Sequence, residues 1–161
     1  MNAKLNLILA QAENRYLTAS EIQQLRQTLT HWRLRLEIYE RLRERELGLW
    51  EIVARQIHTR FANIDPDQRD QALALSQLLL HILGKVMLFD YPQNLAEQEF
   101  SWILARVRVY QLDSLVGSVM TAVHGQLGMV LGTQGLATLE PYFQQITGVM
   151  NQAPALMGLA A

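Results

Sequence analysis

Apolar residues crowd the stretch Gln71–Asp90, QALALSQLLLHILGKVMLFD, more densely than any other part of the chain. Its polar members are few and regularly placed. Asp70, Gln77, His81 and Lys85 stand four or seven residues apart, so they share one face of a helix. Leu73, Leu75, Leu78, Leu79, Leu80, Ile82, Leu83, Val86 and Met87 occupy the rest. A helix apolar around most of its circumference is covered either by neighbours or by lipid. Gln77, His81 and Lys85 interrupt the run, and buried charge is costly in lipid. The pattern therefore predicts the central helix of a soluble all-α domain.

Other elements follow from the same periodicity. Lys4–Asn14 is a short amphipathic segment that leaves Leu5, Leu7, Ile8 and Leu9 needing cover, and Tyr16-Leu17 breaks it. Thr18-Ala-Ser-Glu21 reads as a capping box. Helical spacing continues through Ile22, Leu25, Leu29 and Trp32 to Leu36, Ile38, Tyr39 and Leu42, with Gly48 as the expected break. Leu49, Trp50, Ile52, Val53, Ile57 and Phe61 form the next apolar face. Asp65 and Pro66 mark a fresh start that runs into the central stretch and stops near Asp90-Tyr-Pro92. Asn94 is expected to cap a helix reaching Val109, and Asp113 begins another, rich in small residues. Gly132–Gly135 reads as a loop, Thr138 as the cap of a last helix to Met150, and about 151–161 as a flexible tail. The sum is about eight helices in one domain of globin-like size, residues 1–161, with no strand alternation and no repeat.

Bulk properties sharpen this. With 50% hydrophobic and only 18% charged residues, the chain has the composition of one that hides surface in an assembly. A net charge of −1 gives no global attraction to nucleic acid. Cysteine is absent, which excludes disulfides, thiolate metal sites and any thioether-linked cofactor. The N-terminal apolar stretch is too short for a signal peptide, so a cytoplasmic protein is expected. The charged run from Arg33 to Glu46 balances at helical spacings and reads as a solvated face. His31, His58, His81 and His124 share no metal-ligand spacing. His81 could ligate haem in a true globin, but no second histidine is placed to support it. Trp32, Trp50, Trp102, Phe100 and Tyr142 read as core rather than as a ligand cavity. Gly125-Gln-Leu-Gly128 and Gly132-Thr-Gln-Gly135 follow no strand, and no nucleophile–base pair can be argued, so an enzyme is not expected.

Ala12-Glu-Asn-Arg-Tyr-Leu-Thr18, followed by Glu21 and Ile22, resembles the N-terminal region of the phycobiliproteins, the light-harvesting subunits of phycobilisomes. That region carries an Ala-Glu-Ala-Arg-Tyr-Leu-Ser type sequence and then an acid-plus-aliphatic pair. The similarity continues through Arg35, Leu36, Ile38 and Glu40, and returns at Asp90, at Asp113 with Val119, and at Tyr142-Phe143 with Gly148. It covers about residues 11 to 150 and is strongest toward allophycocyanin subunits. The resemblance implies a globin-like fold preceded by two extra N-terminal helices, here about 3–31, which in the family clasp a partner subunit. It implies an interface at Leu5, Leu7, Ile8, Leu9, Tyr16 and Leu17.

The family's pigment chemistry does not carry over. Its bilin-binding cysteine aligns with Gln71, and the arginine and aspartate that hold the pigment align with Leu73 and Ala74. Glutamine cannot form the thioether, and leucine and alanine supply neither charge nor hydrogen bond. The family's subunit-pairing acid aligns with Gln11, and its basic partner with Leu80 or His81, so pairing would rest on apolar contact. The resemblance therefore implies a subunit without covalent bilin. Such a subunit would pair with itself or another phycobiliprotein-like subunit, among phycobilisome or photosystem components at the cytoplasmic face of the thylakoid membrane. A carrier or sensor holding a bilin or other tetrapyrrole non-covalently stays open as the alternative.

Overall fold

The computed structural model of the protein describes Ala10, residues 15–91 and residues 93–152. Four helices make the architecture: α1 Ala19–Arg60, α2 Pro66–Phe89, α3 Gln93–Val109 and α4 Asp113–Gln152. No strand occurs among the described residues, and the chain is all-α. α2 is the central element, packed against α1, α3 and α4, while α4 also touches α1 and α3.

Local chemistry sets several boundaries. The Thr18 hydroxyl accepts from the Glu21 N–H at the start of α1, and the Glu21 carboxylate accepts from the Thr18 N–H at 2.8 Å. That is the reciprocal capping box. Asp65 accepts from the Gln68 N–H and Pro66 opens α2, where a missing N–H costs nothing. α2 stops at Asp90, whose left-handed backbone (φ 51°, ψ 52°) is one that aspartate tolerates better than most side chains. The Tyr91 N–H then returns to the Val86 carbonyl at 3.1 Å.

Among the described residues the expected count of about eight helices is corrected to four. The two N-terminal helices fall mostly outside the described residues, and positions 19–31 are the opening turns of α1 rather than a separate element. Gly48 does not interrupt α1. One interior glycine costs only about 1 kcal/mol, and Leu49, Trp50, Val53 and Ile57 beyond it are buried. Gly132–Gly135 is not a loop either. Only Gly132 leaves the helical region (φ 71°, ψ 176°), kinking α4 into two limbs, and Thr138 lies inside the second limb with its hydroxyl on the Gln134 carbonyl. Across the kink His124 Nε2 meets Glu140 Oε2 at 2.7 Å, and this contact holds the Glu140 carboxyl below its usual range. The tail expected from 151 begins instead as helix through Gln152; its remainder lies outside the described residues.

The core is continuous. Leu79, Leu83, Val86 and Met87 of α2 meet Val53 and Ile57 of α1, Phe100 and Ile103 of α3, and Val119, Leu127, Leu139 and Ile146 of α4. Ser76 is fully buried, and its hydroxyl is satisfied by the Ala72 carbonyl at 2.7 Å. At Gly84 a Cβ would lie 3.2 Å from the Tyr39 ring, so glycine permits the close crossing of α1 and α2. α2 and α4 are long and apolar enough to cross a membrane by length and composition alone. In α2, however, 56% of that window is buried inside the protein, the share expected of a core helix.

Candidate functional site

The first nineteen residues of α1, Ala19–Glu37, include no buried side chain; burial begins at Ile38. At about 1.5 Å per residue, this arm runs roughly 28 Å without a fully buried side chain, and its last turn meets the core through Leu34 and Arg35. It is nevertheless apolar along one line. Ile22, Leu25, Leu29, Trp32 and Leu36 recur at steps of three and four, the spacing of a helix–helix seam. Ile22, Leu29 and Trp32 are exposed, Trp32 by 48%. Residues advance about 100° around a helix, so this stripe lies on roughly the opposite side of α1 from Ile38 and Leu49. Trp50, five whole turns after Trp32, lies on the same side as the stripe and is buried, so the core draws on that side of α1 as well. Ile22, Leu29 and Trp32 stay exposed because they lie ahead of the packed part of α1.

The root of the arm is chemically fixed. Arg15 Nη1 donates to Glu21 Oε2 at 2.9 Å, alongside the Thr18 contacts to the same carboxylate. The hydrogen bond from Arg15, then that from the Thr18 N–H, hold the Glu21 carboxyl down at about 2. Of the expected interface residues, Tyr16 is 98% exposed and Leu17 half-buried. Leu5, Leu7, Ile8 and Leu9 lie outside the described residues, as does Gln11.

Three residues distant in sequence meet where the arm joins the core. Arg35 Nη1 lies 3.0 Å from Asp90 Oδ2, the Tyr142 hydroxyl donates to Asp90 Oδ1 at 2.6 Å, and the Arg35 guanidinium sits 6.0 Å from the Tyr142 ring centre. α1, the end of α2 and the second limb of α4 are tied at one carboxylate. Burial first, and the Asp90 hydrogen bond second, push the Tyr142 hydroxyl up to about 12. Because the folded value lies above the unfolded 10.0, the contribution is intact below pH about 10 and lost as pH rises toward about 12. Tyr142→Phe is expected to flatten that alkaline loss of stability relative to wild type, measured as the urea midpoint across pH 9–12.

The positions that align with the pigment site do not converge on a binding group. Gln71 and Ala74 are exposed, and Leu73 packs against the core. Leu80 is 1% exposed and therefore core, not a pairing residue. His81 is exposed, with Nδ1 3.2 Å from Arg43 Nη1. Arg43 also pairs with Glu46, and Arg33 with Glu37, so the charged run of α1 is internally balanced. The aromatic set divides. Trp50, Phe100 and Tyr142 are buried as expected, whereas Trp32 and Trp102 are about half exposed, a correction to their assignment as core. Trp32 belongs to the arm's stripe, ahead of the buried part of α1.

The described surface carries clefts of ligand size. One of about 480 Å³ lies between Gly48, Leu49 and Ile52 of α1 and Met129 and Val130 of α4. Another, of about 370 Å³, lies where Arg60 at the end of α1 meets both limbs of α4. Neither is lined by Gln71, Leu73 or Ala74. No family model, no curated protein and no solved structure matches this chain.

Proposed function

We propose that this chain is an unpigmented phycobiliprotein-type subunit and works as a structural or accessory interaction protein. The arm of α1 pairs with a second copy or with another phycobiliprotein-like subunit, in a phycobilisome or beside photosystem components at the cytoplasmic face of the thylakoid membrane. The observation that carries this reading is the outward apolar stripe of Ile22, Leu25, Leu29 and Trp32. Helices in proteins gain most of their stability from packing an apolar face, and this arm has no buried side chain, so an exposed seam of this kind calls for a partner. Arg35, Asp90 and Tyr142 add support, since three residues behind the family resemblance join in one cluster. Gln71, Leu73 and Ala74 offer no thiol, guanidinium or carboxylate, which removes covalent pigment from the role.

The test is the mass and visible spectrum of the tagged full chain isolated from a phycobilisome-producing host. A colourless complex of at least two chains is expected. A monomer with no antenna or photosystem component attached overturns the proposal, and a bilin absorption band replaces it with the non-covalent carrier.

A further inference from the structure

The cleft beside Arg60 combines features that the pairing role does not use. Arg60 stands at the end of α1, its guanidinium 5.5 Å from the Phe61 ring centre, and among the described residues it forms no ion pair. Its donors, set in a planar fork suited to a carboxylate, are unspent. No acidic side chain lines the cleft. The buried side chains of Met120 and Phe143 supply an apolar wall. Ser118 and Thr121 on the first limb of α4 face the same space as Thr147 on the second. Each of these hydroxyls already donates within its own helix: Ser118 to the Ser114 carbonyl, Thr121 to Gly117, and Thr147 to Gln144 at 3.1 Å. Their oxygens therefore remain as acceptors.

One unpaired fork of donors, three acceptors and an apolar wall together specify a ligand class. We infer that this cleft is a binding site for a small carboxylic acid with an apolar body and its own hydroxyl donors. The carboxylate pairs with Arg60, the hydroxyl donates to the Ser118, Thr121 or Thr147 oxygens, and the body lies against Met120 and Phe143. The volume of about 370 Å³ falls within the range of small-molecule sites. A monoanion matches the single cation, and the apolar wall disfavours a fully hydrated phosphate.

The probe is 4-hydroxyphenylacetate, titrated into the full chain and followed by amide chemical shifts, with the neutral 4-hydroxyphenylacetamide as its matched control. The carboxylate is expected to move the signals of residues 114–121 and Thr147 and to bind at least about tenfold more tightly than the amide, as a charge-assisted hydrogen bond requires. Arg60→Gln should erase that difference. At Gly117 a Cβ would meet nothing within 4 Å, so the Gly117→Leu side chain has the cleft to fill. This variant should abolish binding while leaving the thermal midpoint unchanged or higher, because glycine is a poor helix former. Equal binding of acid and amide, an Arg60→Gln affinity equal to wild type, or shifts confined to other parts of the chain overturn the inference. The result is independent of whether the chain pairs through its arm.

Discussion

Replacing Leu83 by alanine is expected to remove about 4 kcal/mol of stability, within the range of about 2–5 kcal/mol for leucine truncations in a packed core. Leu83 has no exposed surface and lies about three-quarters of the way along α2, which α1, α3 and α4 all touch. Relaxation into the void is hindered, because Leu79, Val86 and Met87 beside it are themselves fully buried. For a domain with a total stability of roughly 5–15 kcal/mol, the loss is large. The urea midpoint should fall steeply at constant slope. Leu78→Ala, at a position 38% exposed on the same helix, should cost much less. A Leu83→Ala cost below about 1 kcal/mol, or equal costs at the two positions, would mean that α2 is not the packed centre.

Leu29→Glu carries the second large effect, and it falls on assembly rather than on folding. Leu29 sits mid-stripe on an arm without buried residues, so a carboxylate there meets water in the isolated chain. In a seam it would be buried without a partner, at a cost of several kcal/mol. The dissociation constant of the assembly should rise at least about a hundredfold, measured by sedimentation, while the urea midpoint of the dissociated chain stays near wild type. Loss of folding stability of the same size, with association unchanged, would place Leu29 against the chain's own core.

The parts of the fold legible in the sequence are those fixed by neighbours in the chain. Thr18 and Glu21, Asp65 and Pro66, and the stop at Asp90 all act over three or four residues, and each stands where the spacing placed it. What spacing could not supply was the weight of packing. Gly48 carries the same local signal as Gly132, yet α1 passes through one while α4 kinks at the other. The buried side chains on both sides of Gly48 outweigh its modest propensity cost. Trp32 and Trp50 illustrate a second limit: five whole turns apart on one side of one helix, the first is exposed ahead of the core and the second is buried within it. The Arg35–Asp90–Tyr142 cluster and the Arg60 cleft join positions dozens of residues apart, and only the tertiary fold brings them together.

Hydrogen exchange along α1, followed as a function of protein concentration and of added partner, tests the pairing account most directly. Amides of Ile22–Trp32 should be protected in the assembled state and exchange freely on dilution to the monomer, while those of Leu79–Met87 stay protected throughout. Equal protection of the arm in monomer and assembly would contradict it, because the stripe would then need no partner to hold it.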